Sequence, residues 1–219
     1  MDKVFYIIGA GGQALETYSI FEANGLSTYV LAFLEEDCKR TRDTIFEKPV
    51  KDLWHVFRET NFVNSKVVCA IGKTKRKRLI IDLESKGVEF IKIIHPTAVI
   101  SIHSEIGNGS IVAPLVVINP LVRIGSHVLI NYSSSIGHGS RIGDYSTISP
   151  GARVSGNVKL GEQVFIGNNV SVNEGLTVGN GAIIGAGSVV TDDVPDLALV
   201  VGVPAKVKKI YHDIEERPW

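Results

Sequence analysis

One histidine in the stretch "NYSSSIGHGSRIGDYSTI" (131–148) stands where it can do chemistry. His138 follows Ile136 and a glycine corner, and Asn131 precedes it by seven residues. Imidazole titrates near neutrality, so an accessible one can take a proton from an attacking amine or hydroxyl. A plain surface histidine fits the same place, and spacing alone leaves both readings open. A second candidate lies in "IIGAGGQALE". There an apolar run ends at Gly9 and a helical pattern follows, giving Gly9-Ala10-Gly11-Gly12-Gln13-Ala14 the loose G-x-G-x-x-A spacing. Bare N–H groups at a helix start approach phosphate oxygens closely, and Glu35, ending the next strand pattern, stands where an acid would meet a ribose. A tight strand-to-helix turn needs the same glycines. A covalent route finds no cysteine in the second half of the chain. Cys38 and Cys69 lie in the first third, outside metal or disulfide spacing, and no Gly-x-Ser-x-Gly elbow is present. Direct transfer between two bound substrates is the better reading.

The elements that position these residues fall into two grammars. Up to residue 94, strand and helix patterns alternate: "KVFYIIG", "QALETYSIFEANG", "TYVLAFLEED", a helical "VKDLWHVFRE", "KVVCAIG", "KRLIIDLESKG" and an extended "EFIKIIH". Such alternation predicts a small parallel α/β sheet. After His95-Pro96 every sixth residue from 100 to 190 is Ile, Val or Leu, without a gap. Side chains alternate along a strand, so each of these residues and the one two before it face the same way. A small residue follows each, which suits a corner. Three six-residue sides close one triangular coil, and coils stack at a strand spacing of ~4.8 Å. The chain is thus predicted to divide into an α/β domain at 1–94, a β-helix at 95–194 and a tail or cap at 195–219. By alternation Ile130, Ile136, Ile142 and Ile148 point inward and His138 points out.

Composition limits the partners. Hydrophobic residues make up 44% of 219, and Lys plus Arg (23) equals Asp plus Glu (23). That balance gives no support to nonspecific nucleic-acid binding. The start reads as neither a signal peptide nor a membrane span, and two unpaired cysteines fit a cytoplasmic setting.

The period of six resembles that of the hexapeptide-repeat acyltransferases, which fold as left-handed parallel β-helices. "GAGSVVTDDVPDLALVVGVPAKVKKI", with Gly202-Val203-Pro204-Ala205-Lys206, is similar to the ending of that superfamily. A small nucleotide-binding α/β domain, then "IHPTAVI", then hexads resembles the bacterial nucleotide-sugar acetyltransferases, among them perosamine and bacillosamine-pathway N-acetyltransferases and a sialic-acid O-acetyltransferase group. The resemblance implies a Rossmann-like N-terminal domain followed by the left-handed β-helix. It implies acetyl-CoA as co-substrate, no metal, a nucleotide-linked amino sugar as acceptor, a role in surface-glycan biosynthesis and a homotrimer with shared sites. His138 takes the place of the family's base, with Asn131 in its motif, and Gly156, one coil on, that of its oxyanion donor. Substrate falls to Gly9, Gly11, Gly12, Gln13, Glu35, Glu36, Asp37 and Gly72. Coenzyme falls to Gly167, Gly185, Ala186, Lys206 and Lys208, with Lys209 nearby.

Three positions depart from the family pattern. Gly139 stands where an acid usually follows the base, so the orienting partner falls either to Asp144 at the next corner, within the chain or across a subunit interface, or to a backbone carbonyl. Gln13 replaces a common histidine, and Lys73-Thr74 replace Asp-Asn after "AIG". O-acetylation of a sugar is the nearest rival reading. A zinc enzyme built on His103, His127 and His138 has gaps that miss the eighteen-residue coil. A catalytically silent scaffold is kept open by Gly139.

Overall fold

A computed structural model describes residues 4–36 and 43–218; Asp37 and Cys38 lie outside them. The first domain runs β1 (Val4–Ile8), α1 (Gly12–Ala23), β2 (Val30–Glu35), β3 (Thr44–Ile45), β4 (Lys48–Asp52), α2 (Leu53–Thr60), β5 (Ser65–Cys69) and α3 (Lys77–Ser85). Its sheet has the order β3-β4-β2-β1-β5, parallel except for the β3-β4 hairpin. Phe5 and Ile7 pack with Tyr18 and Phe21 of α1, while Tyr6 and Ile8 pack with Leu53, Leu79 and Ile80 of α2 and α3. Covering both faces explains why "VFYII" is apolar throughout rather than alternating. The chain moves from β1 outward to β2 on one side and returns to β5 on the other. The carboxyl ends of β1 and β5 therefore flank a crevice, the usual binding place in such sheets.

Two expectations for this half need correction. The helix expected from Val50 begins at Leu53. Residues 48–52 pair with β2 instead, and the Asp52 side chain caps the helix by accepting the His55 N–H at 2.6 Å. The extended "EFIKIIH" does not form one strand: Phe90 makes an isolated bridge to Val67, and Ile93–Ile94 already pairs with the β-helix.

From there on the chain forms two-residue strands every six residues, stacked into three parallel sheets. The repeat predicts such a stacked prism, and the sheets fit the left-handed β-helix that the family resemblance implies. Register partners are eighteen residues apart, as in Val117↔Ser135↔Arg153. Ile130, Ile136, Ile142 and Ile148 are all at most 2% exposed. The third residue after each inward one turns the corner with positive φ, as at Leu121, His127, Ser133, Gly139 and Tyr145. The polar residues that share the interior have assigned partners. Ser134, Ser140 and Ser146 each donate to a carbonyl fifteen residues on. On the last coil the tail adds Ala198–Val201, parallel to Ile183–Ile184, then Lys206–Ile210, antiparallel to it.

The outward residues differ by face. On the first face they are Ile111, Leu129, Thr147, Phe165 and Ile183, mostly buried. On the third they are Glu105, Arg123, Arg141, Lys159 and Thr177, all exposed. The first domain covers the first face and is pinned there by Arg76. This guanidinium is 3% exposed and donates to His127 O (2.7 Å), Ser146 O (3.1 Å), Thr147 Oγ1 (3.1 Å) and Lys73 O (3.0 Å). Burial pulls its pKa down to about 10, so it stays charged at neutral pH.

Candidate active site

Gly9 ends β1 with φ +109°, and a Cβ there would press on Ala70 O at 2.9 Å, so the turn itself requires this glycine. Gly11 and Gly12 are different. Gly11 is the N-cap of α1 with ordinary extended torsions, and a Cβ on either residue would meet nothing within 4 Å. Their bareness leaves room beside the helix start rather than easing the backbone. Glu35 closes the turn from the side, its Oε1 accepting the Ala10 N–H at 2.5 Å.

The space beside these glycines is a cleft of about 520 Å³. Gly9, Gly11, Gly12, Gln13, Glu35 and Gly72 line it, so six of the sequence-predicted substrate residues come together. Glu36 lines an adjoining hollow of about 680 Å³ with Trp54 and Asp82, and Ile71 and Lys73 border both. The opposite wall belongs to the β-helix: Asn131, Thr147, Ser149 and Phe165. Thr147 Oγ1 donates to Gly72 O at 3.2 Å and fixes the two walls to each other.

Asn131 is therefore not beside His138. It is 6% exposed at the corner between the first and second faces, while His138 is exposed at the corner between the second and third. The His138 ring lies over Gly156, where a Cβ would sit 2.7 Å from its Nε2. The stacking of 138 on 156 thus holds, and His138 O also accepts the Asn157 N–H at 2.7 Å. The Gly156 N–H donates to no acceptor among the described residues, which leaves it available beside the imidazole.

Asp144 does not orient His138 within the chain. Its Oδ1 accepts the Ser126 N–H at 2.8 Å and caps the next corner. What occupies the space beside Gly139 is the Asn157 carboxamide, whose Nδ2 donates to Glu174 Oε1 at 3.1 Å. Asn157 and Glu174 thus share the histidine's corner on the following coils. His127, by contrast, is 2% exposed between Phe90 and Tyr145, its Nε2–H directed at Glu84 Oε1 at 2.9 Å. Three histidines do not converge, and no cluster of three or more metal-ligating side chains occurs among the described residues.

The family model described as bacterial transferase hexapeptide (six repeats) matches residues 121–156 and 157–192. No curated protein matches the sequence. Among solved structures, a His-to-Asn mutant of perosamine N-acetyltransferase from Caulobacter crescentus, in complex with CoA and GDP-perosamine, is 32% identical. The match covers 95% of this chain and 98% of that one with a TM-score of 0.87. This chain belongs to the hexapeptide-repeat nucleotide-sugar acetyltransferases. The acetyltransferase domain of PglB from Neisseria gonorrhoeae, in complex with acetyl coenzyme A, is 28% identical over 94% of this chain and 100% of that one, with a TM-score of 0.86. WeeI from Acinetobacter baumannii is 29% identical over 94% and 99%, also at 0.86.

In this hexapeptide-repeat acetyltransferase, Asn131, Ser149, Gly167 and Gly185 succeed one another at eighteen-residue intervals down one corner. The cleft takes the upper two. The lower two have a packing reason of their own: a Cβ on Gly167 would meet Ala186 N at 2.6 Å, and one on Gly185 would meet Val201 Cγ1 at 2.6 Å. Lys206 and Lys208 are exposed on the last strand, and Lys206 Nζ lies 3.5 Å from Asp192 Oδ2. Sequence reasoning missed Ser149, Thr147 and Phe165 as cleft residues. The available signal was the outward position on the first face, whose residues are apolar or small instead of charged. No helix among the described residues is long and apolar enough to cross a membrane.

Proposed function

We propose that the protein is an acetyl-CoA-dependent N-acetyltransferase acting on the amino group of a nucleotide-linked sugar, such as a UDP-, GDP- or dTDP-4-amino-4,6-dideoxy sugar, in surface-glycan biosynthesis. The observation that carries this reading is the cleft. It runs from a glycine turn at a helix start onto a β-helix wall of Asn131, Ser149 and Phe165, in a chain that aligns over 95% of its length with a GDP-perosamine-bound relative. The Rossmann-like first domain then holds the diphosphate at Gly11 and Gly12. The sugar points toward the β-helix, and acetyl-CoA follows the groove past Gly167, Gly185 and Ala186 toward Lys206 and Lys208.

In this reading His138 is the general base. As the amine nitrogen bonds to the thioester carbonyl carbon, the imidazole accepts its proton, and the Gly156 N–H donates to the developing oxyanion. Collapse of the tetrahedral intermediate breaks the C–S bond, and the proton returns from the imidazolium to the departing thiolate. Asn131 then serves the acceptor cleft. The cleft and His138 occupy opposite edges of the second face, so one chain holds two half-sites. Val99, Leu115, Val117 and Leu121 are exposed apolar residues on or beside that face. They support a homotrimer in which each His138 meets a neighbour's cleft. Cytoplasmic residence follows from the use of acetyl-CoA and is in keeping with the free thiol of Cys69.

The test is turnover with acetyl-CoA across UDP-, GDP- and dTDP-linked 4-amino sugars, each beside its 4-hydroxy counterpart. Amide formation with at least one amino sugar is expected. Acetylation of only the hydroxy compounds, or of none, overturns the reading.

A further inference from the structure

Arg217, near the chain's end, reaches the loop behind the cleft. Arg217 is 1% exposed, as buried as any aliphatic core residue. Its Nη1 donates to Gly181 O (2.8 Å) and Gln163 O (3.0 Å), two carbonyls on the β-helix. Its Nη2 donates to Thr74 Oγ1 at 3.1 Å, across 143 positions of sequence. Thr74 is itself fully buried and directly follows Lys73, which borders both the cleft and the adjoining hollow. A buried arginine is retained only where its fork is satisfied, and here one arm of the fork ends on the 72–74 loop.

That loop is held at each residue. Thr147 donates to Gly72 O, Arg76 donates to Lys73 O, and Arg217 donates to Thr74 Oγ1. With the loop held in this way, the exposed Lys73 lines the same cleft as Gly11 and Gly12, at the start of α1. An ammonium facing a helix start frames an anion from both sides. The two residues have complementary uses: Lys73 lines the cleft and Thr74 meets the tail.

We propose that Arg217 is a positioning residue for the nucleotide-sugar site, acting through Thr74 to hold the 72–74 loop so that Lys73 meets the diphosphate. The proposal rests on the acceptor cleft assigned above. Arg217 does not touch substrate, so its loss weakens acceptor binding while leaving the coenzyme groove and the β-helix in place.

The experiment is calorimetric binding of GDP, UDP, dTDP and CoA to the full-length protein and to Lys73→Met, Thr74→Val, Arg217→Met and Arg217→Lys variants. For the tightest nucleoside diphosphate, Lys73→Met is expected to raise Kd about tenfold or more. Thr74→Val and Arg217→Met should raise it about 5- to 20-fold, with Arg217→Lys between them and wild type, and CoA Kd should stay within about twofold. Thr74→Val removes only the hydroxyl, so it decides the matter if Arg217→Met does not fold. The Thr74→Val and Arg217→Met effects should also fail to add when combined. Unchanged diphosphate binding in Thr74→Val, or a parallel loss of CoA binding, overturns the positioning role. If Lys73→Met and a Gly11→Val variant measured in the same way both leave diphosphate binding intact, or no diphosphate binds the wild type, the cleft assignment itself falls, and this role with it.

Discussion

The two edges of the second face differ in almost every physical respect. At one, Asn131 and Ser149 are buried on the wall that faces the first domain, and the corner forms the floor of a cleft. At the other, His138 stands bare over Gly156, and Leu121 is 69% exposed. Backbone and repeat are the same at both edges, so the prism itself does not account for the contrast. It comes from the first face, whose outward residues are apolar enough to take a domain, and from the third, whose arginines and lysine keep it in water. A uniform solenoid has thus been given direction by one residue in every six. In the function proposed above, the acceptor-binding residues collect at the covered edge and the imidazole at the uncovered one, which is why that reading includes a second copy to close the site.

The comparison breaks first at His138. Its side chain packs into no core, so His138→Ala should melt as the wild type does while kcat falls roughly 10²- to 10⁴-fold. Coenzyme affinity should persist. Near-wild-type turnover by the folded variant on its own substrate would make this edge inert and leave the family's chemistry to another group.

At the covered edge, Gly11→Val is the matching probe. Gly11 has φ −87° and no atom within 4 Å of a built Cβ, so valine should cost the fold little and fill the cleft instead. KM for the nucleotide sugar should rise about tenfold and KM for acetyl-CoA should hardly move. Equal damage to both constants in a folded variant counts against separate binding edges.

Mixing the two variants sharpens the contrast. When His138→Ala and Gly11→Val chains are coexpressed in equal amounts and assayed below KM, sites built across chains include about one quarter with both halves intact. Activity near a quarter of wild type is then expected. Sites contained in single chains would give only about a twentieth, set by the residual activity of the valine variant.

How much of this was legible in the sequence depended on which residues carry a period. The inward residues do, because burial admits only apolar or small side chains, and the prism followed from them. The outward residues of the first face carry the same period at eighteen and told as plainly which side is covered, yet they read as noise until the faces were separated. The glycine turn was legible, although only Gly9 is there for its torsions. Asn131 shares a motif with His138 in sequence, yet the two stand at different corners, because nearness in sequence across a corner is not nearness in space. Arg76 and Arg217 gave no sign of their roles. An arginine in a helix start or a tail looks solvated, and its burial follows from carbonyls contributed by distant coils.

The mildest probe of the covered side is acid. His127 is buried against Phe90 and stacked on Tyr145 at a corner of positive φ, facing Glu84, Arg76 and Asp144. Burial lowers its pKa below the usual value of 6.5, and Arg76 adds to this. The hydrogen bond and charge of Glu84 oppose them, as does the charge of Asp144, without reversing the shift. The Nδ1 atom has no hydrogen-bond partner, as expected of a neutral ring. Above about pH 6.5 the histidine is neutral folded or unfolded and leaves stability independent of pH. Below that value the unfolded chain binds a proton that the folded one resists. Stability should therefore fall with acidification, by at most about 1.4 kcal/mol per pH unit for this one group, until the lowered folded pKa is passed. Asparagine tolerates positive φ and does not titrate. His127→Asn should lose some stability at neutral pH through lost ring packing, yet show a flatter decline below about pH 6.5 in urea unfolding. An unchanged acid slope in that variant would remove His127 from the domain contact's pH response and leave the covered edge held by Arg76 and apolar packing alone.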